Sequence, residues 1–443
     1  MIDADWNTLS KEEKRERRFA GWLDTGAIEF ESPVAQANYQ ARITRLARAI
    51  RHEIPDRVPV TLPAEGFPAY HAGLDFRTVM YDYEKLADAW RRFYREFDSD
   101  SLTAPMIVYS GKVLEMVDYR LYAWPGHGLP ANAPFYQFVE GEYMMADEYE
   151  HFLRDPSDYI LRVFVPRAVG KMDAFRFFPP LTAMAGRPQN LLFALGNPEV
   201  RTMLRDLADA GDEMARYQQV MGRFAREAAA AGYPGIRGAV AMAPFDTLSD
   251  AMRGTRGIIT DMYRRPEQVL RACDMIADFH IRNTVAAANA AGAVMVTFPL
   301  HKGDDTFMSD AQFEKFYWPS LNKVVLGLIE EGLMVTLFAE GRYDKRLRQV
   351  ADLPAGWMVW HFDQTDMREA KRVLGDTCCL AGNVPTSLMC TGTPEAVKEH
   401  CRKLIEICAP GGGYILTGGA SASEVRAENL RAMMEAALEY GVY

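Results

Sequence analysis

No apolar run in this 443-residue chain reaches the roughly 18 residues that a bilayer crossing needs, which excludes a helical membrane protein. Cysteine is scarce. The six that occur, at 273, 378, 379, 390, 401 and 408, show no framework spacing, so reduced thiols and a cytoplasmic setting are expected. A surplus of positive charge is also missing. The formal net charge is −10, which argues against non-specific nucleic-acid binding. There is no Gly-x-Ser-x-Gly elbow, so a Ser–His–Asp hydrolase has no support. Gly411-Gly412-Gly413 has no Lys-Ser/Thr after it and leads into a strand pattern, so it is no phosphate loop. Residues 1–18 are charged and lack an apolar core, against a secretory signal. What is present is an ordinary globular balance, 49% hydrophobic and 25% charged.

Residues 1–54 read as a helical extension, with Ser10 and Glu13 spaced as a capping box. Residues 55–443 read as one catalytic domain, in which 118–232 carries a lid-like loop region and a helical insertion. Strand patterns recur at 55–62, 100–106, 235–243, 293–300, 334–339, 357–362, 377–381 and 413–417. Helical patterns separate most of them, notably 266–292, 309–331, 367–374, 394–409 and 426–440. Eight strands joined by helices predict an α/β fold, a (β/α)8 TIM barrel, with a doubly wound open sheet as the alternative.

In a barrel the chemistry sits just past the strand ends. Met334-Val335-Thr336-Leu337-Phe338-Ala339 is a buried-strand pattern that ends in Glu340-Gly341-Arg342-Tyr343-Asp344. Glu340 is therefore the leading catalytic candidate, weighed against a carboxylate that only closes a loop with Arg342. His301, Asp304 and Asp305 follow the fourth strand, and His361 and Asp363 follow the sixth. His361 and Asp363 share one side of their strand, which suits a proton relay or a metal site as well as a structural pair. Glu65 follows the first strand and Asn383 the seventh, while Gly418-Gly419-Ala420-Ser421 leaves room after the eighth. His127 and Tyr143 fall on the lid. Glu65, His127, Tyr143, Asp304, Tyr343 and Asn383 are the expected substrate contacts. Cys378 and Cys379 are adjacent on a strand and point to opposite faces, so they make a poor metal pair.

Several stretches resemble the uroporphyrinogen decarboxylase superfamily. They are Ser309-x-x-x-Phe313-x-x-Phe316-Tyr317-Trp318-Pro319, Phe338-Ala339-Glu340-Gly341, Gly382-Asn383-Val384-Pro385-Thr386-Ser387-Leu388, Gly412-Gly413-Tyr414-Ile415-Leu416 and Glu428-Asn429-Leu430. Arg57-Val58-Pro59-Val60 and Gln137-Phe138-Val139-Glu140-Gly141-Glu142-Tyr143 resemble the branch that takes methyl groups from aryl methyl ethers. The resemblance implies a TIM barrel over roughly 55–443, and a methyltransferase that uses cobalamin carried by a partner corrinoid protein. It also implies zinc, held in that superfamily by a His-x-Cys pair and a later Cys. Those positions are Phe338, Glu340 and about Ala420 here, so only Glu340 remains as a metal ligand unless His301 or His361 joins it. The decarboxylase branch holds its polycarboxylate with arginines after strand one, whereas here no arginine occurs from Pro63 until Arg77, against a porphyrinogen substrate.

The expected function is transfer of a methyl group between a small aromatic methyl ether and a corrinoid, with Glu340 as the acid and His301, His361 and Asp363 orienting or relaying. The alternative is a lyase that decarboxylates a cyclic or aromatic acid, with Asp363 or Asp304 as proton donor. A non-catalytic binding protein is the rival from another class. The expected partners are a small molecule and a corrinoid protein, with self-association left open.

Overall fold

The computed structural model describes residues 5–105, 107–420 and 422–443. Met106, in the expected second strand, and Ser421, in the small-residue stretch after the eighth, lie outside the described residues, as do residues 1–4.

Three short strands, β1 (Tyr122–Pro125), β2 (Gly128–Leu129) and β3 (Gln137–Phe138), form a small sheet in the order β2-β1-β3. Six more make the central sheet: β4 (Gly238–Val240), β5 (Met295–Leu300), β6 (Met334–Ala339), β7 (Met358–Phe362), β8 (Cys379–Ala381) and β9 (Tyr414–Ile415). They are parallel throughout and adjacent in chain order.

Two extended segments complete the ring. The Leu416 amide donates to Pro59 O at 2.9 Å, and the Thr61 amide donates to Leu416 O at 3.0 Å, which seats 58–62 beside β9. The Asp100 amide donates to Val60 O at 3.0 Å, and the Leu102 amide donates to Pro234 O at 2.8 Å, which links 100–102 back toward β4. Eight segments thus follow one another in the order of a (β/α)8 barrel. The segments at 58–62 and 100–102 are less regular than the sequence pattern predicts. Prolines 55, 59, 63 and 105 remove ladder donors there. Arg45 and Arg57 reinforce the seam: both hold the buried Asp100, Arg45 at 2.5 Å and Arg57 at 2.7 Å, and Asp100 also accepts the Val60 amide.

Helices Lys11–Leu23 and Pro33–Ile50 lie against the N-terminal end of the barrel. Ser10 and Glu13 form the expected capping box. Arg18 reaches inward and donates to the carbonyls of Ala293 and Glu331, each at 3.0 Å, and to Asn289 Oδ1 at 2.7 Å. Those acceptors stand at the entrances of β5 and β6.

The β1–β3 sheet belongs to the insertion, and it lies over the other end. The Trp124 indole donates to the Tyr81 hydroxyl at 3.0 Å, and Tyr70 donates to Pro134 O. On the far side the Met144 amide donates to Met252 O at 2.8 Å, and Glu140 accepts from the Thr255 amide. The insertion therefore bridges from the helices after the first barrel segment to the helical segment after β4. The strand expected over 136–144 is reduced to Gln137–Phe138, because the rest of that stretch serves these docking bonds.

Candidate active site

The register of the central strands assembles the site. Pro299 pairs with Phe338, and Phe338 pairs with His361, so these three share one level of the sheet. Along β6 the half-exposed residues are Thr336 and Phe338, and along β5 they are Thr297 and Pro299. With a side-chain period of two, Glu340 and His301 continue those lumen-facing rows, as Asp363 continues the row of His361. The Phe338 and His361 rings stack at 4.4 Å and form a floor. His301, Glu340 and Asp363 stand one level higher, in the barrel mouth.

His301 is the best-held of them. Its Nδ1 lies 2.6 Å from Asp250 Oδ2, and its Nε2 faces Glu340 Oε1 at 3.9 Å. Burial alone would discharge the ring. The Asp250 hydrogen bond and the charges of Asp246, Glu340 and Asp250 outweigh it and push the His301 pKa up to about 9. The ring is a cation at neutral pH, with Nδ1–H committed to Asp250 and Nε2–H directed at Glu340.

Asp246 supports this arrangement from below. It is fully buried and accepts from the His301 amide at 3.0 Å, the Lys302 amide at 3.1 Å and the Tyr317 hydroxyl at 2.7 Å. Burial and the neighbouring Asp250 charge push its pKa up to about 7. Lys302 extends to Thr255 Oγ1 at 2.8 Å and thus ties the site to the helix against which the insertion docks. The Glu340 side chain is 42% exposed, which suits a group at an open mouth. Burial raises its pKa, His301 opposes that, and Asp363 and Asp250 add to it. The chain turns sharply after it: Gly341 has φ +80°, and a Cβ there would stand 2.9 Å from Asp304 Oδ2.

The other sequence-predicted residues do different work. His361 Nε2 meets Gly418 O at 2.8 Å, and burial lowers its pKa, so the neutral ring donates from Nε2. Asp363 accepts from two backbone amides, Gly341 at 3.1 Å and Ala420 at 3.0 Å, and so clips three loops together; a relay with His361 gives way to these separate bonds. Asp304 caps its own turn through the Phe307 amide and the Thr306 hydroxyl. Tyr343 is buried, with its hydroxyl toward Leu300 O. Asn383 donates to Thr365 O at 2.7 Å, beside an 830 Å³ cleft between the loops after β7 and β8. On the insertion, His127 stacks on Trp124 at 4.1 Å, and Tyr143 donates to Arg120 O at 3.1 Å; both remain half-buried. Glu65 does sit at the mouth, where it accepts from the Ser423 hydroxyl at 3.1 Å and is raised by burial.

Asp246, Asp250, Tyr317 and Lys302 are the candidate site residues that sequence reasoning passed over. Their signal was available: two aspartates four apart directly after the β4 strand pattern, and a lysine beside a singled-out histidine.

The residues do not fit the zinc set implied by the resemblance. Phe338 gives its ring to His361, Ala420 has no donor side chain, and no group of three metal-binding side chains occurs among the described residues. The six cysteines are free, and none stands at the strand ends that form the mouth.

Comparison with known proteins agrees with this architecture. Residues 204–440 match the family described as uroporphyrinogen decarboxylase (URO-D). Uroporphyrinogen decarboxylase of Sodalis glossinidius is 24% identical over 163 residues, which are 36% of this chain and 44% of that protein. The chain thus aligns with less than half the length of this curated relative. A methyltransferase from Methanosarcina mazei superposes with a TM-score of 0.57 at 16% identity, covering 90% of this chain and 98% of that one, a likeness of fold.

Proposed function

Because the chain belongs to the uroporphyrinogen decarboxylase (URO-D) family, with a barrel mouth built around His301, we propose that it catalyses methyl transfer from a small aromatic methyl ether. The observation that carries this reading is the imidazolium of His301, clamped by Asp250 and facing Glu340 at 3.9 Å.

An ether oxygen leaves poorly as an anion, so the protein must supply a proton as the methyl–oxygen bond breaks. The electron pair of that bond stays on oxygen, which takes the proton from His301 Nε2 directly or through Glu340. A phenol of the tyrosine kind has a pKa of about 10, close to the value of about 9 held by His301, so the transfer is nearly balanced. Asp250 keeps the ring oriented, and Asp246 fixes the backbone beneath it. A corrinoid on a separate protein would supply the methyl acceptor. The lid strands dock through bonds that include those to Tyr70, Tyr81, Met252, Arg253 and Thr255, and the approach we propose for the corrinoid is from the side over β7 and β8.

The test is methyl transfer from an aryl methyl ether to a corrinoid protein. Glu340→Gln and His301→Asn should each lower the rate roughly 100- to 10,000-fold, the usual worth of acid catalysis. Near-normal turnover in both variants refutes the assignment. Release of carbon dioxide from an aromatic acid, lost in the same variants, would move the reaction to the lyase alternative.

A further inference from the structure

The 830 Å³ cleft between the loops after β7 and β8 takes no part in the chemistry proposed at His301. Its volume falls in the range of roughly 300–1,000 Å³ typical of small-molecule sites. Its rim residues stand just past the C-terminal ends of β6, β7 and β8, on the face where barrels bind ligands.

Two carboxylates and two guanidinium groups line the cleft, and the carboxylates are the committed pair. Asp363 accepts the Gly341 and Ala420 amides. Asp366 caps the helix Met367–Leu374 and accepts the Arg368 and Glu369 amides at 2.8 and 3.3 Å. The arginines are held far less. Arg342 Nε stands 3.7 Å from Asp344, beyond hydrogen-bond reach. The Arg368 side chain has no hydrogen bond or ion pair among the described residues. Both arginines are exposed, so their charge is available to an anion.

The wall behind them is aliphatic, formed by Met367, Pro385, Leu404 and Ile407. His400 precedes Leu404 and Ile407 by four and seven residues on the helix Pro394–Cys408 and shares their face. Its Nε2 is buried and has no hydrogen-bond partner among the described residues. Burial favours the neutral ring. The wall of the cleft thus carries a polar atom of the kind that ordinarily finds a partner.

We infer that this cleft binds an organic anion, a phosphate or carboxylate head on an aliphatic body. Arg342 and Arg368 hold the head, one of its oxygens meets His400 Nε2, and the body lies against Met367, Leu404 and Ile407. The site does not rest on the methyl-transfer reading.

Calorimetric titration of the full chain with hexyl phosphate, hexanoate and hexanol tests it. The better of the two anions should bind saturably and at least about tenfold more tightly than hexanol, and it identifies the head. The double variant Arg342→Gln with Arg368→Gln changes only exposed side chains and should weaken that anion at least about tenfold. His400→Phe should weaken it about three- to tenfold, yet the unfolding midpoint of the ligand-free chain should not fall, because no existing bond is removed. His301→Asn, in the mouth, should leave the affinity unchanged; a loss there would move the anion to His301 and overturn the cleft. No saturable binding, hexanol binding as tightly as the anions, or an unaltered affinity in the double arginine variant or in His400→Phe would each overturn it too.

Discussion

At the level of single residues, the chemistry depends on how a histidine keeps its proton. The pKa of His301 near 9 results from a contest between burial, which favours the neutral ring, and three carboxylates that favour the charged one. Methyl transfer should therefore proceed below that pKa and decline as pH rises through about 9. Asp250→Asn removes the strongest partner. The alkaline limb of the rate profile should then move toward the ordinary histidine value of about 6.5, and an unmoved limb would show that Asp250 does not hold the charge. Asp246→Asn is expected to act differently: it weakens the bond from Tyr317 and the backbone beneath His301, so stability falls along with activity.

At the level of secondary-structure elements, the fold is a set of strands that deliver side chains to one level. Six of the eight strand patterns, from 235–243 onward, hold the strands of the central sheet, because barrel strands are short apolar runs set between amphipathic helices; the patterns at 55–62 and 100–106 correspond to irregular extended segments instead. The helices at Met367–Leu374 and Pro394–Cys408 begin where the sequence pattern places them, and the structure shows each capped by the side chain before it, Asp366 and Thr393. Asp246 and Asp250 were passed over, although they stand four apart just after the β4 pattern, because a carboxylate in a helical turn reads as solvated until register shows that it faces His301. For His127 and Tyr143, polar aromatic residues on a lid, the structure adds partners that the sequence could not show, the Trp124 ring and the Arg120 carbonyl. At the positions where the resemblance puts zinc ligands, Phe338 and Ala420 offer no donor. Docking of the insertion gives a prediction on this scale. Glu140→Ala removes the acceptor for the Thr255 amide and loosens the roof over Lys302. Protease sensitivity within 118–145 should rise while the far-ultraviolet spectrum stays the same; unchanged proteolysis would assign the roof to other contacts.

At the level of the whole molecule, the barrel is closed at one end by helices and roofed at the other by an insertion, and both attachments are polar. Arg18→Met leaves the Ala293 and Glu331 carbonyls and the Asn289 amide without their shared donor, and should cost about 1–3 kcal/mol in denaturant unfolding. A neutral result would make the N-terminal helices dispensable. Stability should also depend on pH in a defined direction. The His301 pKa is raised from 6.5 to about 9 in the folded chain, so its contribution is complete below about 6.5 and lost as pH rises through about 9. Asp246 is raised from 3.8 to about 7, so folding also loses ground as pH climbs between those values. Both groups make the protein less stable toward alkaline pH.

The most direct measurement is a titration of the His301 ring followed by nitrogen-15 NMR, in the parent chain and in Asp250→Asn. The account predicts a ring that stays protonated to about pH 9 in the parent, with a transition displaced downward in the variant. A His301 that titrates at or below about 6.5 in the parent chain, and does not respond to the loss of Asp250, would contradict it.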